Sequence, residues 1–137
     1  MKLLFVCKGN VCRSQMAEAF YEKLSKNKNV KSAGYSPENL EGKSLDNTKY
    51  VKFCMDGEDI NVRNKVSKKI DIEMVDWADK IIVFDSKKMN WPDFLRNLEK
   101  VEVWDIEDPR HGDLEFHRKT MYEIKKRIID FVERNLS

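Results

Sequence analysis

At 137 residues the chain is long enough to bury a single hydrophobic core without disulfide or metal staples. Lys plus Arg (26) nearly balances Asp plus Glu (24), and a net charge of +2 gives no electrostatic pull toward nucleic acid or a membrane surface, although 36% of the residues are charged. The longest apolar runs, at residues 3–7 and 80–84, are far too short to span a bilayer, and the N-terminus enters a strand instead of a secretory signal. The three cysteines, an odd number in a chain that needs no stapling, suit a reducing cytosol; a cytoplasmic monomer is the expectation.

Residues 3–6 read as a buried strand. The segment that follows, Cys7-Lys-Gly-Asn-Val-Cys-Arg13-Ser14, carries most of the chemistry. A loop this short between a strand and a helix turns its successive N–H groups inward, from Lys8, Gly9, Asn10, Val11 and Cys12 to Arg13, and such a ring binds a tetrahedral anion. Gly9 accepts positive φ without strain, and Asn10 is among the few other residues that tolerate the left-handed region. Arg13 supplies a planar fork for two phosphate oxygens, and the helix that follows adds its positive dipole end. Surroundings of this kind hold a thiol as the thiolate, which makes Cys7 a candidate nucleophile, with Ser14 placed to hydrogen-bond its sulfur. A cysteine ending a first strand is otherwise a small core hydrophobe; the strand-loop-helix context argues for chemistry.

Further along, residues 15–26 read as a helix with Met16, Ala19, Phe20, Tyr21 and Leu24 facing the core. Residues 30–35 form a second strand, 45–55 a helix stopped by Gly57, and Ser67 caps another helix ahead of a third strand at 80–84. Residues 87–98 read as helical with Pro92 in a first turn, 101–106 as a fourth strand, and 114–136 as a long terminal helix. No repeat or linker interrupts this alternation. It specifies an α/β fold: a four-stranded parallel sheet with helices on both faces and a phosphate-binding loop after the first strand, where ligands bind at the carboxyl ends of the strands. Asp108-Pro109 falls at that same edge, after the fourth strand. Proline keeps Asp108 extended on a stiff loop, as suits a general acid.

These motifs resemble those of the low-molecular-weight protein tyrosine phosphatases over nearly the whole chain, residues 1–137 forming one such domain. The likeness includes V-C-K-G-N-V-C-R-S, then M-A-E-A-F in the first helix, K-S-A-G-Y in the second strand and I-E-D-P before the last helix. It implies Cys7 as nucleophile, Arg13 as phosphate clamp and Asp108 as acid, with no metal or cofactor, acting on a phosphorylated protein or a small phosphate ester. Departures concern specificity. Position 15 is Gln15 where proline is common, a change bearing on the start of the helix more than on chemistry. Arg110 and His111 stand where the family usually has aromatic residues, and with Leu40 they form the expected substrate rim. The variable loop 36–42 has no aromatic beyond Tyr35, so a slot for a phenyl ring is poorly furnished. Val11 stands where phosphoarginine-specific members have threonine. Phosphotyrosine is the default substrate, with phosphoarginine or a small ester as the alternative.

Cys12 shares the tight loop with Cys7, so it either forms a reversible protective disulfide or fills space beneath the loop. Cys54 is a core residue. Arsenate reductase, which some members perform through a thiol relay, needs further cysteines after the third strand, and residues 85–91 contain none. His111 is expected at the rim and His117 on a helix surface, without metal-ligand spacing to Cys7 or Cys12. Tyr122 and the three tryptophans read as packing or half-exposed aromatics.

Overall fold

A computed structural model describes residues 1–136, with side chains through Asn135. Four parallel strands, β1 (Leu3–Cys7), β2 (Val30–Gly34), β3 (Lys80–Val83) and β4 (Val101–Val103), form one sheet in the order β2-β1-β3-β4. Because side chains alternate across a strand, Leu3 and Phe5 point to one face and Leu4 and Val6 to the other. All four are fully buried, each pair in a separate cluster.

Helices α1 (Arg13–Ser25), α2 (Val51–Asp56) and α4 (Leu114–Leu136) cover the first face, where Phe5, Met16, Phe20, Phe84, Trp104, Ile128 and Phe131 interlock. The aromatic rings meet edge-on or tilted, Phe84 against Trp104 at 5.8 Å, geometry that favours packed aromatic pairs. Helix α3 (Ile72–Trp77) and two short 3-10 turns cover the other face, around Val75, Trp91 and Leu95. The chain therefore leaves β1 toward β2 on one side and β3 on the other. Cys7 ends the strand at which this order reverses, the usual position for a ligand crevice in an open parallel sheet.

Several expected elements take another form. Residues 45–55 are not one helix: a 3-10 turn at Leu45–Asn47 ends where the Thr48 hydroxyl donates to the Leu45 carbonyl, and α2 starts only at Val51. Residues 87–98 form two 3-10 turns, Lys88–Asn90 and Asp93–Leu95, and Pro92 sits extended before the second, where its ring prevents one continuous helix. Asp71, not Ser67, caps α3 by accepting from the Met74 N–H. The fourth strand stops at Val103, and Leu24, expected in the core, is 40% exposed on α1. Helix α1 itself begins earlier, at Arg13, and ends at a left-handed Lys26.

Candidate active site

The loop from Cys7 to Arg13 closes at the carboxyl end of β1. Asn10, at φ 56°, is its left-handed residue, whereas Gly9 is not left-handed. Asn10 turns its own N–H onto the Cys7 sulfur at 3.3 Å, and the Ser14 hydroxyl lies 3.0 Å from that sulfur. Both Cys7 and Ser14 are buried.

Beneath the loop lies a polar network. The Asn10 Nδ2 group donates to Ser14 Oγ at 2.7 Å and to Ser32 Oγ at 3.0 Å, while its Oδ1 accepts from the Lys68 N–H at 2.9 Å and from Gln15 Nε2 at 3.1 Å. Ser67 donates to the Gly9 carbonyl, so the segment expected to start a helix instead braces the loop from behind. Gly34 backs the loop from the other direction. A Cβ there would stand 2.7 Å from the Lys8 carbonyl oxygen, so only glycine fits.

Arg13 is buried and its guanidinium is pinned: Nη1 donates to the Phe84 carbonyl at 2.7 Å and the Ile106 carbonyl at 2.9 Å. Those carbonyls follow β3 and β4, so the loop arginine is tied across the end of the sheet. Nη2 faces the Asp108 carboxylate at 3.4 Å. Asp108 accepts the Arg110 N–H at 3.1 Å, which folds the Asp-Pro turn back on itself. The expected triad of Cys7, Arg13 and Asp108 thus lines one cleft of about 650 Å³, together with Leu40, Arg110 and His111.

Tyr50 and His117 also line this cleft, and the sequence reading anticipated neither. His117, expected on the helix surface, is buried; its ring lies 5.0 Å from that of Tyr50, and its Nδ1 sits 2.8 Å from the Asp113 carbonyl, which as an acceptor requires the proton on that nitrogen. The cleft therefore does have an aromatic wall, contributed by the residue before α2 instead of the loop after β2. No periodicity or motif marks Tyr50; only the break between the 3-10 turn and α2 brings it inward. Gln15 is not merely a residue at the start of a helix either, since it is fully buried and bonded to the loop.

A second cavity, of about 560 Å³, adjoins on the side of Tyr35 and Asp85. The Tyr35 hydroxyl donates to Asp85 at 2.5 Å. Burial opposes charge on Asp85, yet the Tyr35 hydroxyl, the Lys87 N–H and Arg13 together hold its carboxyl below the ordinary range, and burial and this bond raise the Tyr35 phenol. Burial first, then Cys7 and Asp108, push the Cys12 thiol well up. Cys54 is buried in α2 as expected.

A cysteine at a sheet's switch point, its sulfur meeting the Asn10 N–H and the Ser14 hydroxyl and sharing a cleft with an arginine and an aspartate, defines a cysteine-based α/β enzyme of the phosphatase and reductase kind. The family model for low molecular weight phosphotyrosine protein phosphatase matches residues 2–136, and the chain belongs to that family. Arsenate reductase 1 of Staphylococcus haemolyticus is 33% identical over 133 residues, spanning 96% of this chain and 94% of that protein. Among solved structures, the low molecular weight protein tyrosine phosphatase from T. tengcongensis is 28% identical with a TM-score of 0.84, covering 98% of this chain and 99% of that one. YwlE arginine phosphatase from Geobacillus stearothermophilus is 26% identical with a TM-score of 0.81, covering 98% and 92%. No helix among the described residues is long and apolar enough to cross a membrane.

Proposed function

We propose that the protein hydrolyses phosphate monoesters through a phosphocysteine intermediate, with aryl phosphates such as protein phosphotyrosine as its substrate class. The observation that carries this reading is the convergence of the Cys7 sulfur, 3.0 Å from Ser14 Oγ, with the Arg13–Asp108 pair at 3.4 Å in one cleft. Cys7 thiolate attacks phosphorus and the phosphorus–oxygen bond to the leaving group breaks. Asp108, entering with a proton, gives it to the departing oxygen. Water then attacks the phosphocysteine, Asp108 takes the water's proton, and the phosphorus–sulfur bond breaks to return the thiolate, with the Ser14 hydroxyl donating to the sulfur. The loop N–H groups and the part of the Arg13 fork not bound to carbonyls stabilise charge on the equatorial oxygens. No step calls for a metal or cofactor.

Support for an aryl substrate comes from Tyr50 and Leu40, which line the cleft and offer apolar contact to a ring above the loop. The relatives named arsenate reductases favour a second reading, in which Cys7 forms an adduct with arsenate and a second thiol attacks the Cys7 sulfur, so that a disulfide forms, the sulfur–arsenic bond breaks and arsenite leaves. Against it, Cys12 and Cys54 are both buried and burial pushes both thiols up, which disfavours the thiolate a relay needs. The test compares kcat/KM for phosphotyrosine, phosphoarginine, phosphoserine and small esters, with arsenate reduction measured alongside. Cys7→Ser should abolish turnover. Asp108→Asn should slow alkyl esters, whose leaving groups need a proton, by roughly 100-fold or more while sparing esters of acidic phenols. Equal loss on both ester types removes Asp108 from the role of acid, and arsenate reduction without ester hydrolysis replaces the phosphatase reading.

A further inference from the structure

We propose that Gln15 is a positioning residue whose side-chain amide locks the Asn10 carboxamide in the orientation that turns the Ser14 proton onto the Cys7 sulfur. The kinetic part of this proposal rests on the phosphatase reading above; the hydrogen-bond relay itself does not.

Gln15 lies in the first turn of α1 with no exposed surface. A buried amide is costly unless it is bonded. Its Nε2 makes two bonds, to Asn10 Oδ1 at 3.1 Å and to the Val66 carbonyl at 2.9 Å, while its buried Oε1 has no partner among the described residues. Turning the amide over would set that oxygen against two other oxygens, so the orientation is fixed despite the cost of the orphaned carbonyl.

The consequence passes along the network atom by atom. Asn10 Oδ1 faces two donors, Gln15 Nε2 and the Lys68 N–H, which forces Nδ2 toward Ser14 and Ser32. Ser14 Oγ therefore accepts from Asn10 at 2.7 Å, and its single proton is left for the Cys7 sulfur at 3.0 Å. Of the two donors on Asn10 Oδ1, Gln15 is the side chain; the other is backbone. Without Gln15 the Asn10 carboxamide oxygen keeps one donor, the Lys68 N–H, and the group is freer to twist, which loosens the bond that directs the Ser14 proton. The Gln15 bond to Val66 also ties this relay to the strip that braces the loop from behind.

The test is a double-mutant cycle of Gln15→Leu and Ser14→Ala with an aryl phosphate, which separates action through Ser14 from general support of the fold. Gln15→Leu should lower kcat by about tenfold, the size of one lost bond to a charged group, with KM within about twofold. In the Ser14→Ala background the same substitution should change kcat by less than about twofold. Equal factors in both backgrounds, or a rise in KM at constant kcat, would overturn the proposal. Gln15→Met, which keeps an unbranched stem and lacks the donor, enters the same cycle and is read the same way should the leucine variant not fold. A readout independent of turnover is hydrogen exchange of the Asn10 side-chain amide by NMR. It should quicken at least about tenfold in Gln15→Leu while the backbone amides of β1 keep their protection. Unchanged exchange refutes the relay even in an active enzyme. An inactive parent protein whose Asn10 amide is protected in the Gln15-dependent way refutes the phosphatase reading alone.

Discussion

Gly34→Ala perturbs the anion-binding loop from behind, through a position that is not itself proposed to meet substrate. Gly34 pairs with Cys7 in the β1–β2 register, and its N–H and carbonyl bond Lys68 and Ile70. A methyl group at this position would stand 2.7 Å from the Lys8 carbonyl oxygen, 3.1 Å from the Gly9 carbonyl carbon and 3.2 Å from Asn10 Cβ. Ordinary contact begins at 3.4 Å, so the closest pair is short by about 0.7 Å. Two of these three neighbours are backbone atoms and cannot rotate away. Either β2 separates from β1 or the loop shifts, and β2 is held on both sides by bonds to β1 and to residues 68–70. The loop is the weaker member.

Overpacking of this kind costs about 1–3 kcal/mol. A displacement of several tenths of an ångström in a ring of N–H groups aimed at a transition state is also felt in rate, since a misplacement near 1 Å costs on the order of 100-fold. Gly34→Ala should therefore lose about 1–3 kcal/mol in urea unfolding, followed by the fluorescence of buried Trp91 and Trp104, and about tenfold or more in kcat/KM toward an aryl phosphate. A variant within about 0.5 kcal/mol of the parent and equally active would refute the reasoning, because nothing else in the structure could absorb the methyl group.

Three other outcomes follow from the same geometry. Arg13→Lys removes the fork that serves the Phe84 and Ile106 carbonyls together, so stability should fall by about 1–3 kcal/mol in urea and vanadate binding by calorimetry should weaken about 100-fold; unchanged stability would mean that the two carbonyls find other donors. The Asp85 carboxyl is depressed in the folded state, so its contribution is present above the unfolded value near about 3.9 and disappears as pH falls through the folded value. The stability gap between parent and Asp85→Asn should accordingly be widest at neutral pH and close below about pH 4 in urea titrations; parallel curves would contradict it. Tyr50→Ala should lower kcat/KM for aryl phosphates by roughly fivefold to tenfold while leaving a small alkyl phosphate within about twofold, and equal loss on both would take Tyr50 out of ring recognition.

How far the sequence could be read depended on whether a residue's role was local. The strand ending in Cys7, the helix after Ser14 and the terminal helix carry their own periodicity, and each is present. The spacing sufficed to bring Cys7, Arg13 and Asp108 to one cleft because Cys7 ends a strand of the parallel sheet, Arg13 opens the helix behind it and Asp108 follows another strand of that sheet. Residues 87–98 misled because apolar positions at helical intervals straddle Pro92, which divides them into two turns. Ser67 resembled a cap, yet its hydroxyl is taken by the distant Gly9 carbonyl. Gln15, Tyr50 and His117 owe their placement in part to partners far along the chain, Val66 for Gln15 and each other for the two rings, and single-sequence patterning holds no signal for those contacts.

The anchoring of the loop also explains why chemistry and specificity are separable in this fold. Strand ends and residues 66–68 hold the cradle through Arg13, Asn10 and Gly9, all contacts made below the anion site. The wall above it comes instead from segments around Leu40, Tyr50 and His111, which border the cleft without belonging to that brace. A change in the wall can then alter which leaving group is accepted while the N–H ring and the arginine keep their places. Relatives named for tyrosine phosphatase, arginine phosphatase and arsenate reductase activity are consistent with such a division. On the proposed reading the burden of substrate choice in this chain falls on Tyr50, the aromatic side chain that lines the cleft with its ring set against His117. If the protein is the phosphatase proposed above, an aryl leaving group would meet a surface whose ordering cost the fold has met in advance, and an alkyl one would gain nothing from it.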